Sequence, residues 1–100
     1  MSKLSIVGIG GTTAATSSTE TALRLALDSA LGAGAEITLF GGEKLAQLPH
    51  YCPGAIDASP VGRELVAAIR GADGVIIASP GYHGSISGLV KNAVDYIEET

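Results

Sequence analysis

Gly74-Val75-Ile76-Ile77-Ala78-Ser79-Pro80-Gly81-Tyr82-His83-Gly84-Ser85 is the stretch on which the reading of this fold turns. Gly74 to Ala78 is a short apolar run rich in β-branched residues, and it reads as a buried strand over Gly74–Ser79. A loop with a proline, two glycines, an aromatic, a histidine and a serine follows it. Beyond the loop, Gly88-Leu89-Val90-Lys91-Asn92-Ala93-Val94-Asp95 has helical spacing. A helix is expected from about Ser87 to Glu98, with Leu89, Ala93, Val94 and Ile97 turned inward. In an open α/β sheet, ligands bind in the crevice outside the carboxyl ends of the strands. The loop is therefore a candidate site as well as a turn.

Working outward, Leu4–Ile9 reads as a first strand, broken by Gly8, Gly10 and Gly11. A helix is expected from about Ser18 to Leu31, with Ala22, Leu23, Ala26, Leu27, Ala30 and Leu31 on its apolar face. Glu20, Arg24 and Asp28 lie four apart on the other face. Gly32-Ala33-Gly34 ends it. Ala35–Phe40 reads as a second strand, and Glu43–Ser59 as a long connection with Pro49, Pro53 and Gly54. Ser59-Pro60 has the form of an N-cap followed by proline at the first helical position. The second long helix then runs to about Arg70, with Leu65, Val66 and Ile69 inward. The order βαβαβα predicts an α/β fold with a parallel sheet and right-handed crossovers. Three strands are few for such a sheet, and at least one edge is left in need of a cover.

The composition suits one domain spanning residues 1–100. Hydrophobic residues make up 46% and charged residues 16%, enough to fill a core. The formal net charge is −4 and the six basic residues are dispersed, which argues against a nucleic-acid partner. Cys52 is the single cysteine, so no internal disulfide forms, and nothing points to an oxidising compartment. The start lacks a signal-peptide pattern, and no run approaches the roughly 18 apolar residues of a membrane span. A cytoplasmic protein without a membrane anchor is the expectation.

Thr12 to Thr19 contains six hydroxyl residues in eight. A helix N-cap needs one of them. A phosphate needs several donors converging at a helix N-terminus, which such a loop supplies without Lys or Arg. Two familiar phosphate motifs fail here. The P-loop lysine is absent. A dinucleotide fingerprint starting at Gly8-Ile9-Gly10 meets Thr13 at its third glycine position, and its acidic residue is at best Glu43, past two glycines. His50 and Cys52 share a loop, but two ligands do not make a metal site, and no motif supports Cys52 as a nucleophile. Lys91 and Asp95, four apart, read as a solvated pair or an interface contact.

The segment Pro80-Gly81-Tyr82-His83-Gly84-Ser85, with Gly88-Leu89-Val90-Lys91-Asn92-Ala93-Val94-Asp95, resembles the NADPH-dependent FMN reductase family of flavodoxin-like proteins. That family carries a pattern of the form Pro-x-Tyr-(Asn/His)-Gly-Ser-x-(Pro)-Gly-x-Leu-Lys-Asn-x-x-Asp. Gly11-Thr12-Thr13-Ala14-Ala15-Thr16-Ser17 is similar to the family's Gly-Ser-x-Arg-x-x-Ser loop after the first strand. Leu48-Pro49-His50-Tyr51 with Pro53 resembles its second connection. The likeness extends over nearly all of the chain. Three differences stand out. Ala14 replaces an arginine that clamps the phosphate, Thr12 replaces serine, and Ser87 replaces a proline, a change expected to alter only the helix cap. The family sheet has five strands where this chain supplies three, so the resemblance implies the N-terminal half of a three-layer flavodoxin-like fold, or a shortened chain.

The resemblance implies that Thr12, Ser17, Ser18 and Thr19 surround the FMN phosphate. It implies that Pro80, Gly81, Tyr82, His83, Gly84 and Ser85 wrap the isoalloxazine ring. His83 has two readings, a donor to a flavin carbonyl or a packing residue of the loop. The implied activity is an NAD(P)H-dependent FMN reductase, with NADPH or NADH passing hydride to the flavin and the electrons leaving to an acceptor. No side-chain acid or base is needed for that step, and no catalytic dyad or triad is visible. Alternatives are a quinone or azo reductase, an FMN-binding electron-transfer module, or a domain that keeps the fold without flavin. A homodimer or homotetramer is expected.

Overall fold

The computed structural model describes residues 3–14 and 17–100. Met1, Ser2, Ala15 and Thr16 lie outside the described residues, so the part of the hydroxyl run at Thr16 is not placed. Three strands, β1 (Ser5–Gly10), β2 (Glu36–Phe40) and β3 (Gly74–Ala78), form one parallel sheet in the order β2-β1-β3. In β1, Ile9 pairs with Phe40 on one side and with Ile77 on the other. This is the flavodoxin-like arrangement in part, with β1 central. The helices are α1 (Ser18–Gly32), α2 (Gly42–Leu45), α3 (Pro60–Arg70) and α4 (Gly88–Asp95).

Alternation along β1 divides the layers. Leu23 and Leu27 of α1, both buried, lie over Gly8 on one face. Val7 and Ile9 turn to the other face and cluster with Phe40, Leu45, Leu48, Leu65, Val66, Ala93 and Tyr96. Each such large apolar side chain contributes about 1.5–3 kcal/mol on burial. The sheet is thus sandwiched by α1 on one side and by α3 and α4 on the other.

Strand and helix bounds fall within a residue or so of expectation for most elements, and three readings are corrected. The connection Glu43–Ser59 is not structureless. Its start belongs to α2, and a 3-10 turn occupies Ala55–Ala58. The last helix is α-helical only to Asp95 and tightens into a 3-10 turn over Tyr96–Glu99. Its buried line runs through Val90, Ala93 and Tyr96, while Leu89, Val94 and Ile97 are half-buried. On α1, Leu23 and Leu27 are inward as expected, but Ala22 and Leu31 are exposed. Leu31 sits in the last turn of α1.

β3 is an edge. One side pairs with β1, and no strand among the described residues pairs with the other. Val75 and Ile77, read as buried, are 40% and 47% exposed. They share the face of their partners Val7 and Ile9, but α3 and α4 cover β1 more fully than they cover this margin.

Candidate functional site

The carboxyl ends of β1 and β3 are joined before either loop departs. Gly11 N–H donates to the Ala78 carbonyl at 3.2 Å. A Cβ on Gly10 would lie 2.2 Å from that same oxygen, so only glycine permits the approach. A Cβ on Gly42 would lie 2.0 Å from the Thr12 carbonyl oxygen. The start of α2 is therefore pressed against the loop after β1, and together these glycines set where Thr12 sits.

Thr12 is half-buried. Its Oγ1 accepts the Ala14 N–H at 3.3 Å and lies 3.1 Å from the Tyr82 Oη. Ser17 is the N-cap of α1, with extended backbone, and its Oγ accepts the Glu20 N–H at 3.2 Å. Ser18 and Thr19 form the first helical turn. Ser17, Ser18 and Thr19 thus sit at the positive end of a 15-residue helix dipole. Ser17 is thus a helix cap, the plainer of its two readings.

Pro80 to Ser85 leaves β3 on the other side of Thr12. Pro80 is half-buried, and Gly81, Tyr82, His83, Gly84 and Ser85 are exposed. Tyr82–Gly84 makes a 3-10 turn in which His83 takes left-handed backbone angles, φ 50° and ψ 36°. A non-glycine residue in that region is strained and is held by its surroundings. The Gly84 and Ser85 N–H groups bond within the turn, to the carbonyls of Gly81 and Tyr82. The N–H groups of Tyr82 and His83 have no acceptor among the described residues.

Sequence reasoning missed what holds this loop at its base. Ser79 Oγ accepts the Ser87 N–H at 2.8 Å and donates to the Pro80 carbonyl at 2.9 Å. Ser87, buried, caps α4 by accepting the Val90 N–H at 3.2 Å. The serine that stands in place of proline at 87 therefore does more than alter the cap. Its N–H, which proline lacks, closes the loop. Two serines flanking the Pro-Gly turn were the available signal.

A cavity of about 590 Å³ lies on the β2 side of the same loop, lined by Thr12, Thr13, Glu20, Arg24, Glu43 and Lys44 among others. It shares only Thr12 with the predicted site residues. Lys44 pairs with Glu64 and stands 4.9 Å from the Phe40 ring centroid.

A second network fastens the connection before α3 to α4. Tyr51 N–H donates to Asn92 Oδ1 at 2.8 Å, Asn92 Nδ2 donates to the Pro49 carbonyl at 3.0 Å, and Tyr96 Oη donates to that carbonyl at 2.7 Å. Tyr51 and Tyr96 meet edge to face at 5.0 Å. Tyr51 Oη donates to Glu99 Oε2 at 2.6 Å. This hydrogen bond, aided by desolvation and the Glu99 charge, pushes the Tyr51 phenol up to about 12. Burial raises Tyr96 as well. His50 and Cys52 are exposed, and no group of three His, Cys, Asp or Glu able to hold a metal occurs among the described residues. No helix among them is long and apolar enough to cross a membrane.

With this geometry in hand, comparison with known protein families matches residues 4–99 to "NADPH-dependent FMN reductase". The chain belongs to the NADPH-dependent FMN reductase family. A curated protein is similar over a shorter stretch. The NADPH azoreductase of Bacillus sp. (strain OY1-2) is 37% identical over 38 residues, which is 38% of this chain and 21% of that protein. The matched stretch thus spans about a fifth of the relative's length.

Proposed function

We propose that this member of the FMN reductase family binds FMN between the loops after β1 and β3, and that it serves an NAD(P)H-dependent reductase. The observation that carries the reading is the hydrogen bond between Thr12 and Tyr82, which joins the loop leading into α1 to the loop after β3 at the ends of adjacent parallel strands. Thr12, Ser17, Ser18 and Thr19 would hold the phosphate with hydroxyls, loop N–H groups and the α1 dipole. Pro80, Gly81, Tyr82, His83, Gly84 and Ser85 would lie along the ring, with the Tyr82 and His83 N–H groups available to its polar edge.

The donor set fits an anionic, hydrogen-bond-accepting ligand without help from an arginine at position 14. When bound, FMN supplies the hydride and electron chemistry, with NADPH or NADH as the reductant. The protein's part is to grip the phosphate and to orient the ring edge. The Ser79–Ser87 clasp keeps the ring loop from fraying while its tip stays exposed. The name of the Bacillus relative makes an azo compound the first acceptor to try.

Steady-state NADPH oxidation with added FMN, with and without an azo dye, tests the proposal. Turnover that depends on FMN is expected. Tight FMN binding with no nicotinamide oxidation would leave the electron-transfer module instead. Absence of flavin binding after soaking in FMN would remove every flavin reading.

We further propose that the chain is homo-oligomeric through the β3 margin. The β2 edge carries Glu36 and Thr38, exposed and polar, whereas β3 carries Val75 and Ile77, with exposed Ile86 nearby in sequence and no charge from Gly74 to Tyr82. Edges that stay free are usually blunted by charge or proline, and this strand has neither.

A further inference from the structure

We infer that Tyr82 is a positioning residue for phosphate recognition: its phenol donates to Thr12 Oγ1 and thereby makes the Thr12 hydroxyl an obligate donor toward an acceptor-only anion. The inference rests on the proposed placement of the FMN phosphate at the loop after β1.

The argument is a count of hydrogen-bonding capacity. A threonine hydroxyl has one proton and two lone pairs. One lone pair of Thr12 is taken by the Ala14 N–H at 3.3 Å. Tyr82 Oη stands 3.1 Å away, close enough to take the second. Between a phenol and an aliphatic alcohol, the phenol is the stronger acid and the better donor, and the alcohol is the better acceptor. Tyr82 therefore donates and Thr12 accepts. With both lone pairs engaged, the Thr12 proton can be satisfied only by an outside acceptor, and a phosphate oxygen is one. Chains of hydrogen bonds in one direction also polarise one another and strengthen the terminal donor.

The Tyr82 ring is not held by packing, since the residue is 56% exposed. Its hydroxyl crosses between loops 70 residues apart in sequence. The Ser79–Ser87 clasp fastens the base of the loop that carries Tyr82. This provides a physical role for the hydroxyl distinct from the ring's. It also offsets Ala14, which offers the phosphate no charge: here the loop gains a polarised neutral donor.

A double-mutant cycle with two ligands tests the inference. FMN and riboflavin, which lacks the phosphate, are titrated by flavin fluorescence into the full chain and its Tyr82→Phe, Thr12→Val and doubly substituted forms, with folding checked by circular dichroism. Tyr82→Phe keeps the ring, so contacts to the isoalloxazine persist. The expected result is a lower FMN affinity, by up to about fivefold, the worth of one hydrogen bond being the ceiling on what polarising Thr12 can add. Riboflavin affinity should be unchanged, and no further FMN loss should follow in the Thr12→Val background. Equal losses for both flavins, an FMN loss that persists in Thr12→Val, or no loss at all would each overturn the role. If the unsubstituted chain binds riboflavin and FMN equally, the phosphate placement itself falls. If it binds neither, the flavin reading falls.

Discussion

Gly42 shows how one residue without a side chain can govern a loop it does not belong to. Its α-carbon faces the Thr12 carbonyl, and an added methyl would lie 2.0 Å from that oxygen. Gly42→Ala should cost about 1–3 kcal/mol, as overpacked sites do, seen as a lower urea midpoint at unchanged slope. A midpoint equal to the parent's would show that Thr12 is not constrained from this side. Tyr51 makes a prediction in pH. Its phenol ionises near 12 when folded against an ordinary 10, so the folded chain holds this proton more tightly than the unfolded one. The stabilising contribution is complete below pH 10, declines between 10 and 12, and is lost above. The difference in melting temperature between parent and Tyr51→Phe should therefore be constant below pH 10 and shrink through that window. A gap independent of pH would contradict the Tyr51–Glu99 bond. Neither role was legible beforehand. Gly42 stood only as one of two glycines before Glu43 and Tyr51 as part of a resemblance, because both act on partners distant in sequence.

Among the elements, α3 was read to the residue and the last helix was not. Ser59-Pro60 is a local signal, and its geometry is local too, with Ser59 Oγ accepting the Gly62 N–H at 2.9 Å. The last helix was assigned a face from Leu89, Ala93, Val94 and Ile97. Ala93 is buried as expected, but its buried neighbours are Val90 and Tyr96, because the Tyr96 hydroxyl is drawn to the Pro49 carbonyl. Tertiary pairing chose between two apolar stripes that periodicity could not separate. The loop between β3 and α4 belongs to the same scale. Ser87→Pro, which restores the residue more usual in the family pattern, removes the N–H that Ser79 accepts and the hydroxyl that caps α4. It should lower stability by about 1 kcal/mol or more, and limited proteolysis should cut sooner between Ser79 and Ser87. A cleavage rate equal to the parent's would show that the clasp does not hold the loop.

For the whole molecule, the two outer strands of the sheet each have one neighbour among the described residues, and they differ in character, β2 polar at its margin and β3 apolar. Val75 and Ile77 lie on the face of the main core yet are 40% and 47% exposed, along an edge with no partner strand among the described residues. The proposed self-association predicts elution well above 10.0 kDa in gel filtration. Val75→Lys with Ile77→Lys should shift it to a monomer, since charge on an edge opposes strand addition. A parent chain that already elutes as a monomer would refute the interface. Two of the residues proposed for the site, Thr12 and Tyr82, are 70 residues apart and meet only because β1 and β3 are neighbours.

Apolar periodicity, turn residues and caps were enough to specify three parallel strands alternating with helices, because they act over a few residues and repeat along the chain. The hydroxyl run and the Pro-Gly-Tyr-His-Gly-Ser loop were legible for the same reason, as compact segments with unusual chemistry. The sheet order, the Ser79–Ser87 clasp, the Tyr51–Glu99 tie, the exposure of β3 and the meeting of Tyr82 with Thr12 belonged to the tertiary structure. Each depends on two segments arriving at one place, and a hydrogen bond or a close backbone approach leaves no periodic trace in either segment alone.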